Sequence, residues 1–223
     1  MRTDFKDTYT LIATSTFGLE TVIGHEVRAL GYEPTVSQGR ITFQGDAMAI
    51  ARANLWLRSA DRVQWKIAEF EARTFDELYD QVRELPWGDF LPKNAAFPVT
   101  GKSVKSQLHS LSSCQSIIKK AIVDSLGAHY GLKQLPEDGA SYSVQFQFLQ
   151  DRCLLVLDTS GIGLHKRGYR TLAGAAPLKE TLAAGLVQLS RWHPGPMVVD
   201  PCCGTGTIPT RAAVIGLDNA PRR

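Results

Sequence analysis

Hydrophobic positions along the chain change their period several times, and each change marks an element. Tyr9 to Thr14 reads as a strand. Leu19, Val22, Ile23, Val27 and Leu30 then recur every three or four places, the spacing of one helix face. Thr16 is placed to cap that helix and Gly31 to end it. A second strand is predicted over Arg40 to Gln44. Asp46 caps the next helix, whose apolar positions are Met48, Ile50, Ala51, Leu55 and Leu57. This βαβα rhythm is that of a ferredoxin-like sandwich, assigned to residues 1–58.

A second unit, 59–164, follows without a flexible linker. Val63, Trp65 and Ile67 alternate as a strand, and Phe75, Leu78, Tyr79 and Val82 form a helical stripe ended by Pro86. Phe97 to Thr100 predicts a strand. A long helix comes next, capped by Ser112 or Ser113, with Ile117, Ile118, Ala121, Ile122 and Leu126 inward and Gly131 at its end. Tyr142, Val144, Phe146 and Phe148 alternate with polar residues as in a half-buried strand, and Cys153 to Leu157 reads as a deeper one. In the third unit, 165–223, Pro177 suits a first helical turn, and Leu178, Leu182, Leu186 and Leu189 carry the buried face to Trp192. A Pro-Gly-Pro turn then leads to the apolar strand Met197–Val199 and a helix from Thr207 to Ile215. The fold class expected is α+β joined to the start of an α/β layer.

Composition narrows the setting. At 223 residues, 43% hydrophobic and 21% charged, the chain can bury substantial cores. No apolar run approaches the roughly 18 residues of a membrane span, and the N-terminus has no signal-peptide core. The expectation is a cytoplasmic protein without a membrane partner. Cys114, Cys153, Cys202 and Cys203 lack the spacing of a zinc site, so no metal is expected. The net charge of +3 says little, but its distribution says more. Ser59 to Asp89 is rich in acids, whereas Phe90 to Val123 holds none beside Lys93, Lys102, Lys105, Lys119 and Lys120. Such asymmetry concentrates positive potential where phosphates could be gripped. As composition alone, a solvated basic face is the favoured reading.

One string carries the sharpest local chemistry: Asp200-Pro201-Cys202-Cys203-Gly204-Thr205-Gly206-Thr207. An apolar run ends, a glycine turn follows and a helix opens, the place where α/β sheets bind ligands. Glycine lets backbone approach a ligand without a Cβ between them. The dinucleotide fingerprint fails here, because Pro209 stands where a third glycine belongs. The P-loop fails too, because Thr207 replaces its lysine. Cys202 and Cys203 read as packing residues rather than nucleophiles. On the two glycines alone, an ordinary strand-to-helix turn is an equal reading.

The string Asp-Pro-x-Cys-Gly-x-Gly-Thr resembles the first cofactor motif of class I methyltransferases that modify RNA. Residues 98–126, PVTGKSVKSQLHSLSSCQSIIKKAIVDSL, resemble the core of a THUMP domain, an RNA-binding module. LHKRGYR followed by APLKET resembles the junction between THUMP and catalytic domains in bacterial 23S rRNA guanine-N2 methyltransferases. The order of these strings implies a ferredoxin-like domain, a THUMP domain and the start of a Rossmann-like methyltransferase domain. The resemblance implies S-adenosylmethionine as cofactor, held by Asp200, Pro201, Gly204, Thr205 and Gly206, with Glu180 and Thr181 bordering its pocket. It also implies that Lys102, Lys105, Lys119, Lys120, Lys166, Arg167 and Arg170 contact phosphates of RNA, ribosomal or transfer.

The chain departs from the family's pattern in three ways. Only 24 residues follow Val199, and neither the ribose-binding acid nor the Asn/Asp-Pro-Pro-Tyr/Phe string that holds the target base is present. Arg211 stands where an acid is expected after the glycine turn. The pattern suggests a truncated methyltransferase with no catalytic residue of its own, inactive alone and with its tail from His165 mobile, loosely docked or aggregation-prone. Two further readings are a non-catalytic THUMP RNA-binding module and a tRNA guanine-N2 methyltransferase. A THUMP-bearing thiolation enzyme would need a Ser-Gly-Gly phosphate string after the junction, which Asp200 to Thr207 is not.

Overall fold

The computed structural model describes residues 8–167 and 177–221. The chain divides into two compact units, Met1–Trp65 with Thr159–Arg223, and Lys66–Asp158.

In the first unit, β1 (Tyr9–Thr14) lies between β3 (Arg40–Gly45) and the beginning of β4 (Arg62–Glu71), antiparallel to both. A short β2 (Thr35–Ser37), fully exposed and without an apolar signature, borders β3. Leu11, Ala13, Ile41, Phe43 and Val63 share one core with Val22, Ile23 and Val27 of α1 (Glu20–Ala29) and Ala49 and Ala53 of α2 (Ala47–Trp56). Helix α1 starts later than the apolar spacing predicts, and Thr16 is not its cap. The Glu20 carboxylate instead accepts the N–H groups of Gly18 and Gly39 at 2.8 and 3.0 Å. Those bonds, led by that from Gly39, hold its carboxyl below the usual range.

Asp46 caps α2 as predicted, accepting the Ala49 N–H at 2.8 Å. The inner face of α2 differs from the prediction. It is built from Ala49, Ala53 and Asn54, while Met48, Ala51 and Leu55 face out. Close approach decides this: a Cβ on Gly45 would stand 2.3 Å from that of Ala49, so only small residues fit where the helix meets β3.

The second unit contains α3 (Phe75–Arg83), the short α4 (Trp87–Phe90), β5 (Val99–Val104), α5 (Leu111–Tyr130), β6 (Val144–Leu149) and β7 (Arg152–Asp158). β6 pairs parallel with β5 and antiparallel with β7. Thr74 and Glu77 form a reciprocal capping box at the start of α3. Ser110 occupies the cap position of α5, ahead of the predicted Ser112 or Ser113, and Gly131 ends the helix in the left-handed conformation at φ +66°. Trp87, Phe97, Ile118, Ile122, Phe146 and Phe148 are buried in this unit.

The C-terminal run contributes α6 (Glu180–Leu189) and α7 (Thr207–Gly216) to the first unit. Three predictions change here. Helix α6 begins three residues after Pro177 and buries Ala183, Ala184 and Val187, whereas Leu178, Leu186 and Leu189 are exposed. Its small face packs against α1, with Leu182 against the main core, so this segment is docked rather than loose. Residues 197–199 form no strand, and Met197 and Val199 are 86% and 75% exposed. A strand needs a hydrogen-bonding neighbour, and none runs beside them among the described residues.

Candidate functional site

The glycine turn precedes α7. Asp200 Oδ1 accepts the Cys202 N–H at 3.2 Å, and the Gly206 N–H donates to the Cys203 carbonyl at 2.8 Å. Gly204 and Gly206 have φ of +55° and +73°, left-handed values that an L-residue adopts at a cost. Crowding is not the cause. A Cβ on Gly206 would meet nothing within 4 Å, and one on Gly204 only the Cys202 carbonyl at 3.8 Å. The outer side of the turn is therefore open backbone, with Asp200 half-buried beside it and Pro201, Gly204 and Thr205 exposed. Gly206 is also the N-cap of α7, with no side chain to occupy the first-turn N–H groups. Backbone donors beside a carboxylate suit an amino-acid moiety, whose carboxylate and ammonium need opposite partners. The donor set fits the methionine part of S-adenosylmethionine.

Glu180 and Thr181 open α6, and both are already engaged. Glu180 Oε2 accepts from the Arg211 guanidinium at 2.9 Å, with the two side chains 10% and 1% exposed. A charge buried this deeply requires a countercharge. Arg211 replaces an expected acid, and α6 supplies the carboxylate facing it. The Thr181 hydroxyl donates to Asp61 Oδ1 at 2.9 Å, while Lys179 Nζ lies 2.8 Å from Asp61 Oδ2 and Thr16 donates to the same oxygen at 3.4 Å. Sequence reasoning missed Asp61, which was one acid among many in an acidic stretch. Its position at the entry to β4 is the signal that could have found it.

The lysines expected to grip phosphates do not form a single face. Lys102 on β5 and Lys105 just beyond it are exposed. Lys120 is exposed on α5, 5.6 Å from the Tyr79 ring. Lys119 lies on another side of α5, 3.7 Å over the Phe97 ring and 2.6 Å from Glu137. In the first unit Lys166 is exposed, but Arg167 is 8% exposed and donates to the carbonyls of Leu164, Leu55 and Leu57. It thus satisfies the end of α2. Arg170 lies outside the described residues. Among the described residues, no three His, Cys, Asp or Glu side chains gather where a metal could sit, and no helix is long and apolar enough to cross a membrane.

Family models match along the chain in the predicted order. Residues 10–64 match the RlmL ferredoxin-like domain, 72–158 the THUMP domain and 167–223 the RMKL-like methyltransferase domain. The chain carries an RlmL-type ferredoxin-like domain, a THUMP domain and part of an RMKL-like methyltransferase domain.

Related proteins align over nearly the whole chain. It is 54% identical over 215 residues to the Bacillus subtilis (strain 168) protein named "Putative RNA methyltransferase YpsC", covering 96% of this chain and 56% of that one. A crystal structure from Listeria monocytogenes str. 4b F2365, described as a "predicted N6-adenine-specific DNA methylase", is 52% identical with a TM-score of 0.93, covering 96% and 57%. The structure of SMU.472, described as "a putative methyltransferase complexed with SAH", is 45% identical with a TM-score of 0.93, covering 98% and 59%. The chain spans somewhat over half the length of these relatives.

Proposed function

We propose that this chain is the RNA-holding part, and one wall of the cofactor site, of an S-adenosylmethionine-dependent RNA methyltransferase acting on guanine N2 of 23S rRNA. The observation that carries the cofactor half is the open turn with left-handed Gly204 and Gly206 beside Asp200. A relative of matching fold holding SAH supports it. The THUMP match favours RNA over DNA as the nucleic acid. The RlmL-type first domain and the LHKRGYR junction favour the ribosomal substrate.

When bound, the cofactor supplies an electrophilic methyl group on a sulfonium sulfur. The chain's own residues bind and orient. Asp200 would take the ammonium of the methionine moiety, and backbone N–H groups of the turn and of the start of α7, other than that of Gly206, its carboxylate. The pairs Glu180–Arg211 and Thr181–Asp61 fix the start of α6, so these two residues act through position rather than direct contact. Lys102 and Lys105 would hold phosphates without reading sequence. Alignment of a target amine with the methyl is a matter of positioning, and the Asn/Asp-Pro-Pro-Tyr/Phe string for it is not among the 223 residues. Residues 1–223 alone should therefore transfer no methyl group.

Saturation-transfer NMR of S-adenosylhomocysteine with the chain tests the cofactor half. Transfer to the protons of the ligand's homocysteine part is expected, and it should vanish in Gly206→Val. Absence of transfer to the unaltered chain would remove the turn from the cofactor site. Labelled methyl entering unmodified ribosomal RNA above the level of a Gly204→Arg control would overturn the inactivity of residues 1–223.

A further inference from the structure

Within the second unit, a groove of about 420 Å³ runs along the α3–α5 seam, lined by Phe75, Ser112, Ser113, Ser116 and Ile117. We propose that it binds one unpaired nucleobase of the RNA, with Phe75 as the stacking platform. The inference rests on the RNA-methyltransferase reading and adds a site and a ligand class to it.

Three features of the lining favour a base. Phe75 is 37% exposed at the first residue of α3, where the Thr74–Glu77 capping box alone already secures the helix. The exposed part of its ring is available to a ligand face, and stacking on aromatic rings is how single-stranded bases are generally held. Ser112 and Ser116 are exposed, and their hydroxyls make no hydrogen bond among the described residues, whereas Ser113 is already bonded to Ser110 at 2.8 Å. Free hydroxyls can donate to or accept from any base edge. Ile117 gives the groove an apolar wall.

The charges separate base from backbone. Asp76 adjoins Phe75 and is exposed, so an anionic phosphate is disfavoured at that end. Glu77 is spent on the N–H groups of Arg73 and Thr74, and Asp124 on the Tyr79 hydroxyl at 2.6 Å. One helical turn beyond Ser116, about 6 Å along the axis, Lys120 stands over the Tyr79 ring, which Arg83 also approaches at 6.0 Å. Asp80 is exposed nearby and tempers this cationic end without cancelling both residues. The seam thus offers an uncharged aromatic and hydroxyl pocket followed by a cationic step, the order a base and its flanking phosphate require.

The test uses the whole chain and two hairpin RNAs with identical stems, one fully paired and one carrying a single bulged 2-aminopurine. The unaltered chain should bind the bulged hairpin about tenfold more tightly, the scale of one stacked base, and change the probe's fluorescence. Phe75→Ala should abolish that preference while keeping the affinity for the paired hairpin, and Phe75→Trp should retain it. Circular dichroism confirms that both variants are folded. The groove is rejected if Phe75→Ala keeps the preference, if it weakens both hairpins equally, or if the unaltered chain shows no preference. Failure to bind either hairpin would instead take down the RNA-holding role, and the groove with it.

Discussion

Gly185 of α6 faces Leu19 so closely that a Cβ on the glycine would stand 2.7 Å from both methyl carbons of the leucine. Leu19 is buried at the entry to α1, so this contact seats α6 on the ferredoxin-like core. Gly185→Ala should be nearly neutral, because roughly 1 kcal/mol of recovered helix propensity offsets the crowding. Gly185→Val should destabilise the first unit by about 1–3 kcal/mol. Adding Leu19→Ala should recover part of that loss in a double-mutant cycle read by thermal unfolding. Strict additivity of the two changes would show that the contact does not seat the helix.

Arg167 predicts a structural loss. Its guanidinium serves the carbonyls of Leu164, Leu55 and Leu57. Arg167→Ala leaves buried acceptors without their donor, at about 1–3 kcal/mol each when not rehydrated. Melting temperature should fall by several degrees, and Arg167→Lys should not restore it, because one ammonium cannot span three carbonyls. An unchanged melting temperature would return this residue to the surface.

The lysines should differ in their response to salt. Lys102→Glu and Lys105→Glu should each weaken RNA binding and flatten its log–log salt dependence by about one unit. Lys119→Glu should act mainly on stability, since that ammonium already faces Glu137 and the Phe97 ring. Equal slopes for all three variants in filter-binding titrations would contradict the division.

His165 gives a pH signature. Its Nδ1 is sealed from solvent with no hydrogen-bond partner among the described residues. Burial first, then Lys179, lowers its pKa from the ordinary 6.5, with Lys166 and Arg62 acting in the same direction and Asp61 opposing. The unfolded chain then binds the proton more readily than the folded one. The contribution is complete above the ordinary value and is lost as pH falls below it toward the lowered folded value. His165→Gln should therefore narrow the difference in melting temperature between about pH 7 and pH 5. A variant with the same pH dependence as the unaltered chain would show that His165 is not responsible.

Legibility in the sequence followed how local each determinant is. Asp46, Gly131 and the alternation in β6 act within a few residues, and the structure keeps them. The glycine turn was readable because left-handed backbone selects its own residue type. The inner faces of α2 and α6 were not, because apolar spacing favours large side chains while close packing chose alanine and glycine. Residues 197–199 read as a strand on composition, but pairing depends on a neighbour that no local pattern supplies. Arg167 and Lys119 look like any surface cation until the carbonyls and the carboxylate that meet them are placed.

The first unit is discontinuous in the chain, and that orders events during synthesis. The Glu26 carboxylate, for example, accepts from Gln188 at a separation of 162 residues. At translation rates of about 5–20 residues per second, α6 leaves the ribosome roughly 8–30 s after α1. During that interval the Leu19 side of α1 waits without its cover, while all of Lys66–Asp158 can emerge and close its own core. Within residues 1–223 the order would thus run from the middle outward, the two stretches of the first unit joining late.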